Sequence, residues 1–189
     1  MNSNEAYDYI ERISNLLRNT LRRFGASHGL QPTHLEALAY LKACNRYSDT
    51  PKGLTDYLGL TKGTVSQTLK VLESKDLIKK NIDAKDKRKI HLAISPKGKA
   101  VIKDLLPPFL FRDACAHLTS VAQLQLTRYL KQLLREMQES NTLKSFGVCR
   151  SCRFNQQKSP ENYFCKLTGE TLSKQETLAI CREHEYQKS

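Results

Sequence analysis

A chain of 189 residues has room for one domain, or for a domain with a small appendage. With 39% hydrophobic and 26% charged residues it can bury a core, and no apolar run approaches the roughly 18 residues of a membrane-spanning helix. Thirty-one Lys and Arg against 19 Asp and Glu leave a formal charge of +12, which favours a polyanionic partner, nucleic acid ahead of an acidic membrane surface. The start, Met1-Asn-Ser-Asn-Glu-Ala-Tyr-Asp8, carries acids and no basic-then-apolar signal, so a cytoplasmic protein is expected. Charge and thiols are distributed differently. Residues 1–144 hold 24 of the basic and 14 of the acidic side chains, whereas four of the six cysteines crowd into residues 145–189. Two modules with a boundary at 144/145 are predicted.

Ile10, Ile13, Leu16, Leu17, Leu21 and Phe24 form a helical stripe, ended by Gly25 and Gly29. A second helix starts near Pro32 and carries Leu35, Leu38, Ala39 and Leu41. Pro51 opens a short helix with Leu54, Tyr57 and Leu58, stopped at Gly59-Leu60. Thr61 caps the next, whose inward stripe is Val65, Leu69 and Leu72. After Leu77 the period drops to two: Ile78, Lys80, Ile82 and Ile90, Leu92, Ile94 flank a polar hairpin tip, Asp83-Ala-Lys-Asp-Lys-Arg88. Ser95-Pro96 restarts a helix that Pro107-Pro108 interrupts or bends. A long last helix over about 119–143 carries Leu126, Leu130, Leu133, Leu134 and Met137. The first and last helices have more apolar face than the central module can cover, so a homodimer built on them is expected.

Residues 54–75 have the order that major-groove reading needs: a short helix, a tight turn and a second helix. With Val65, Leu69 and Leu72 inward, Gly63, Gln67, Lys70 and Ser74 face outward, flanked by Thr64 and Ser66. Gln pairs with adenine, and Lys reaches guanine or a phosphate. Lys62 sits in the first helical turn, where the helix dipole disfavours a cation unless a phosphate lies nearby. Residues 79–89 add six basic and two acidic side chains. Asp86 is placed to orient Arg88 and leave its guanidinium projecting, a shape suited to an A·T-rich minor groove. The order helix–turn–helix then charged hairpin is a winged helix, in a fold that is mainly α with a small β-wing.

The segments Leu60-Thr-Lys-Gly-Thr-Val-Ser-Gln-Thr-Leu-Lys-Val-Leu-Glu-Ser-Lys-Asp-Leu-Ile78, Asp83–Arg88 and Leu92-Ala-Ile-Ser-Pro-Lys-Gly-Lys99 resemble the multiple antibiotic resistance regulators, the MarR family, over about residues 5–143. The resemblance implies a homodimer on the double-stranded DNA of a palindromic operator, usually as a repressor. It implies DNA contacts from Thr61, Lys62, Gly63, Thr64, Ser66, Gln67 and Lys70, with Arg88 in the minor groove braced by Asp86. Asp76 departs from the family, which usually has Gly there. The tail after residue 145 is a second departure.

That tail contains Cys149-x2-Cys152-x12-Cys165-x15-Cys181. In a reducing cytosol such a cluster is more often a metal site than a pair of disulfides. Four thiolates suit zinc or an iron–sulfur cluster. So short a tail, poor in aliphatics, needs a bound metal for its folding energy. The single Cys-x2-Cys, Phe154, Cys165-Lys-Leu-Thr-Gly169 and Ile180 before the last cysteine resemble the cluster-binding part of high-potential iron–sulfur proteins, which implies a [4Fe-4S] centre, with zinc as the alternative. Phe154, Tyr163 and Phe164 are candidates to shield it from water, and His184 to replace a cysteine in a zinc site.

Cys44 on the second helix and Cys115 on the fifth are expected to be buried structural thiols. His28, His34, His91 and His117 show no catalytic spacing, and no nucleophile–base pattern, paired carboxylates or phosphate loop occurs, so no enzyme is expected. The leading expectation is a dimeric DNA-binding regulator whose iron–sulfur tail senses redox state, iron or a gas, transmitting it through the dimerising helix that the tail follows. The alternatives are a static zinc tail with a small-molecule effector in the dimer cleft, and an electron-transfer protein.

Overall fold

The structure, a computed structural model, describes residues 3–84, 86–140 and 143–187. Four helices come first: α1 (Ser3–Ala26), α2 (Pro32–Ala43), α3 (Pro51–Leu58) and α4 (Lys62–Ser74). Strands β1 (Ile78–Ile82) and β2 (Ile90–Ile94) make an antiparallel hairpin, then come α5 (Pro96–Leu105), α6 (Phe109–Ala116) and α7 (Ser120–Ser140). This mainly helical chain with a small sheet is the winged-helix fold that the sequence pattern predicts. Lys85 at the hairpin tip lies outside the described residues, as do 141–142 within the helix predicted to reach 143.

Local signals set these boundaries. The Thr50 hydroxyl accepts the Gly53 N–H at 3.0 Å and Pro51 opens α3, while Gly59 ends it at φ 64°. Thr61 caps α4 by accepting the Thr64 N–H at 3.1 Å. Gly25 lies inside α1 and the left-handed turn falls at Gly29. Asp76, where the family resemblance expects Gly, takes φ 58° between α4 and β1, a conformation that costs a non-glycine residue less when it is Asp or Asn.

The core is built where α2, α3, α4, β2 and α5 meet. Leu35, Leu38, Leu54 and Leu72 are fully shielded, with Val65, Leu69, Ile78, Leu92 and Ile102 almost so. Thr68 joins the inward face of α4. Buried Tyr40 donates its hydroxyl to the Ser48 carbonyl at 2.7 Å, which ties the loop after α2 to the core. Gly53 is pressed against that loop: a Cβ there would meet the Ser48 carbonyl oxygen and the Tyr40 hydroxyl. Gly53→Ala is therefore expected to destabilise the fold by about 1–3 kcal/mol, through overpacking against backbone that cannot yield. Chemical denaturation of the variant checks it.

The hairpin has the two alternating strands that the sequence pattern predicts, and within it only Ile78 and Leu92 are buried. The paired Ile82 and Ile90 are 68% and 38% exposed, because the outer rung projects past the body. The tail carries a small sheet of its own. Strands β3 (Asn155–Gln157), β4 (Asn162–Cys165) and β5 (Glu170–Ser173) form an antiparallel sheet over buried Leu172. Phe146 and Ile180 from the tail pack on the winged-helix core itself.

The outer helices behave differently. No side chain of α6 or α7 is buried, and Leu130, Leu134 and Met137 are about half exposed, as are Ile13 and Leu16 of α1. Among the described residues, no helix is long and apolar enough to cross a membrane.

Candidate nucleic-acid interface and four-cysteine cavity

Helix α4 presents one face to solvent. Thr61, Lys62, Gly63, Thr64, Ser66, Gln67 and Lys70 are all exposed, on the side opposite Val65, Leu69 and Leu72. Thr61 and Thr64 hydroxyls lie 2.9 Å apart at the helix start. The β1–β2 wing follows α4 and is tied to its last turn by the Lys80–Glu73 ion pair at 2.6 Å. Arg88 donates from Nε to Asp86 Oδ1 at 3.0 Å and from its backbone N–H to the same oxygen at 3.1 Å, yet its side chain is 91% exposed. The Arg88 contact holds the Asp86 carboxyl below the ordinary carboxylate range. The pair is a braced, projecting guanidinium.

The base of the wing holds a contact that sequence spacing did not reveal. His91 on β2 lies between two carboxylates, 2.6 Å from Asp49 through Nδ1 and 3.1 Å from Asp83 through Nε2. The hydrogen bond to Asp49 raises the His91 pKa above its ordinary value. Asp49 itself is pushed up by burial, against the pull of His91, so desolvation of the carboxylate outweighs its gain from the pair. The sign for His91 is clear: a raised folded-state pKa gives stability that is full below about pH 6.5 and is lost as pH climbs through the raised value. His91→Gln should therefore cost most stability in acid, and the gap to the native chain should close on the alkaline side. Unfolding midpoints of both proteins across pH 5.5–8.5 are the check.

The tail brings its four predicted cysteines to one place. Cys149, Cys152, Cys165 and Cys181 line a single cavity of about 30 Å³, enclosed on the apolar side by Phe154, Leu167 and Leu172. A short helical turn, Cys149–Ser151, carries Cys149, Cys152 follows directly after it, the end of β4 presents Cys165, and Cys181 arrives on the loop beyond β5. Asn155 donates Nδ2 to the Cys149 sulfur at 3.3 Å. Burial, reinforced by the neighbouring thiols, pushes Cys149 and Cys181 up, so a cation is needed to hold them as thiolates. Among the described residues no three metal-binding groups close on a single ion. Of the predicted shielding aromatics, Phe154 borders the cavity, while Tyr163 and Phe164 do not. His184 is buried, but Ser145 and Ser151 occupy its two ring nitrogens, which marks it as a packing residue of the module. Cys44 lies just past the end of α2 and not on it, with a thiol pushed up to about 12 by burial. Cys115 is half-buried on α6.

The cavity is also bordered by Asn45 and Tyr47 from the loop after α2, residues that no local motif singles out. That loop is where the tail docks. Ile180 exchanges backbone hydrogen bonds with Ala43 and Asn45 at 2.8 and 2.9 Å. Arg46 pairs with Glu170 and Glu176, and Phe146 stacks edge-on against Tyr57 of α3 at 5.3 Å. A second contact, Arg135 over the Tyr186 ring at 4.8 Å, joins the tail to α7.

Residues 28–89, which span α2 through the wing, match the MarR family model. The likeness to that family model is confined to this winged-helix stretch. Over 138 residues the chain is 28% identical to the transcriptional repressor MprA of Escherichia coli, covering 69% of this chain and 76% of that one. An uncharacterized HTH-type transcriptional regulator of Bacillus subtilis, YwaE, is 34% identical over 56 residues, 30% of this chain and 33% of that protein. The fold matches the crystal structure of a Staphylococcus aureus MepR–DNA complex with a TM-score of 0.57 and 23% identity, over 69% of this chain and 97% of MepR. MprA and YwaE are named as transcriptional regulators, and MepR is seen bound to DNA. The MarR family model stops at residue 89 and does not reach the cysteine module.

Proposed function

We propose that this chain is a MarR-type transcription regulator that binds a palindromic DNA operator as a homodimer, as a repressor, with a [4Fe-4S] centre in its tail as the sensor. The observation that carries the DNA reading is the exposed polar face of α4 together with the projecting Arg88. Thr61, Lys62, Gly63, Thr64, Ser66, Gln67 and Lys70 would read the major groove, and Arg88, braced by Asp86, the minor groove. MprA is named a repressor and MepR is seen with DNA, which supports the same reading here. The bare apolar faces of α1, α6 and α7 support a dimer, since contact between two copies removes them from water.

Iron–sulfur is preferred to zinc on the pattern of the cysteines, one Cys-x2-Cys followed by two widely spaced single cysteines where a zinc ribbon pairs two such knuckles. All four line one shared cavity. When bound, the cluster would supply a redox-labile, oxygen-sensitive centre held by Cys149, Cys152, Cys165 and Cys181. Asn155 and Asn45 would direct N–H groups at the sulfurs, and Phe154, Leu167 and Leu172 would keep water out.

Anaerobic purification followed by the visible spectrum and iron, sulfide and zinc contents tests the centre. About four irons per chain and a broad band near roughly 400 nm are expected; a colourless protein with one zinc would overturn it. Selection of duplexes from a randomised pool tests the DNA reading. An enriched palindrome bound with steep salt dependence is expected, and no enrichment would overturn it.

A further inference from the structure

The loop from Cys44 to Thr50 is the point at which the cysteine module, the wing and the helix-turn-helix meet. Toward the module it contributes Asn45 and Tyr47 to the cavity wall. Toward the wing, the Asp49 carbonyl accepts the Leu92 N–H at 2.6 Å and its carboxylate takes His91. Toward α3 it ends in Thr50, the cap of that helix.

Cys181 is the cysteine carried on the strip that grips this loop. On one side of it, Ile180 forms the bridge to Ala43 and Asn45. On the other, Arg182 donates its backbone N–H to Ser48 Oγ at 2.8 Å, and Ser48 Oγ donates to Asn45 Oδ1 at 2.7 Å. The Arg182 side chain then reaches across the boundary to Asp56 in the middle of α3, Nε to Oδ2 at 2.7 Å. Arg182 is only 16% exposed and Asp56 28%, so the pair is shielded from the water that weakens surface ion pairs. Asp56 lies on the first helix of the DNA-reading pair, three residues before the Gly59 turn that leads into α4.

We propose that Arg182 is a latch: occupation of the four-cysteine cavity fixes Cys181, Cys181 fixes Arg182, and Arg182 on Asp56 holds α3 in the DNA-binding arrangement, so that loaded protein binds DNA more tightly than stripped protein. The proposal rests on the reading of the module as an iron–sulfur site and adds the route by which its state reaches the recognition helix. A ligand shifts an equilibrium only by the difference in its affinity for the two arrangements. Cys181 supplies that difference, because the other three cysteines sit within the module while its two neighbours in sequence are bonded to the winged helix.

The test uses the full chain, loaded anaerobically with ferrous iron and sulfide or stripped with a chelator, on a duplex selected by the native protein. Loaded over stripped affinity should differ by about tenfold in the native chain. Amide exchange in Pro51–Leu58 should be slower when loaded. Arg182→Gln should keep its iron content and lose both differences. Asp56→Asn, which cuts the latch from the other side without touching the cysteine module, should do the same. Tyr186→Ala, which removes the contact to α7, should keep both.

Retention of the native affinity ratio and exchange difference by Arg182→Gln and Asp56→Asn would overturn the latch. Iron-loaded native protein with no difference from stripped protein would also overturn it, while leaving the iron–sulfur reading intact. A chain that takes no iron but shows both differences with zinc alone would overturn the iron–sulfur reading and support the latch.

Discussion

Alanine at Arg88 should weaken binding to the selected duplex by on the order of tenfold, with the loss greatest where the site is flanked by A·T pairs. The side chain is almost entirely in solvent and its carboxylate partner, Asp86, holds it at the hairpin tip, so its removal costs the fold little. Asp86→Ala should give a smaller loss, because the guanidinium remains but is no longer oriented. On α4 the pattern should differ: Gln67→Ala should relax discrimination at one base pair, while Lys70→Ala should lower affinity for most sequences and reduce the salt slope by about one. Titrations of each variant against the selected duplex and single-base mismatches, at two salt concentrations, distinguish these outcomes. Equal loss at all sequences for Arg88→Ala would remove it from the minor groove.

Serine at Cys181 should abolish the full complement of iron and release the tail from the winged helix. Its sulfur is half-buried at the cavity rim, and its neighbours Ile180 and Arg182 make the docking bonds. Serine does not supply the soft thiolate that iron prefers. Loss of metal should be accompanied by faster proteolysis between Gly147 and Tyr186, because a module with few buried aliphatics loses its main source of folding energy. Cys44→Ser should leave iron content unchanged, since Cys44 borders α2 and not the cavity. Metal analysis of the two variants side by side checks both statements. Unchanged iron in Cys181→Ser would remove that residue from the ligand set.

The helix-turn-helix was legible because its signals are local. Pro51, Thr50, Gly59 and Thr61 each act within a few residues, and Val65, Leu69 and Leu72 repeat at the helical period. The gathering of the four cysteines at one cavity was legible from their type and spacing. The seam between modules was not. Arg182 lies 126 residues from Asp56 and the bond from its N–H spans 134 residues to Ser48, and nothing in the local pattern of either partner marks it. The same distance hid His91, whose partner Asp49 lies 42 residues away. The strands of the tail were missed because β3 has three residues and β4 four, too few for an alternating pattern to show. The alternation located both wing strands, but it carries no information on burial at the outer rung, where Ile82 and Ile90 lie beyond the body that could cover them.

The tail of each chain docks on the winged helix of that same chain, through Ile180, Arg182 and Phe146. In the proposed two-fold assembly, each half of an operator would then have its own reporter. A pair with one filled and one empty module would hold one half-site firmly and the other loosely, an intermediate grip between full occupancy and release. The response to a falling supply of iron would then be stepped: a promoter with two strong half-sites would stay closed through the middle step, and one with a weak half-site would already open.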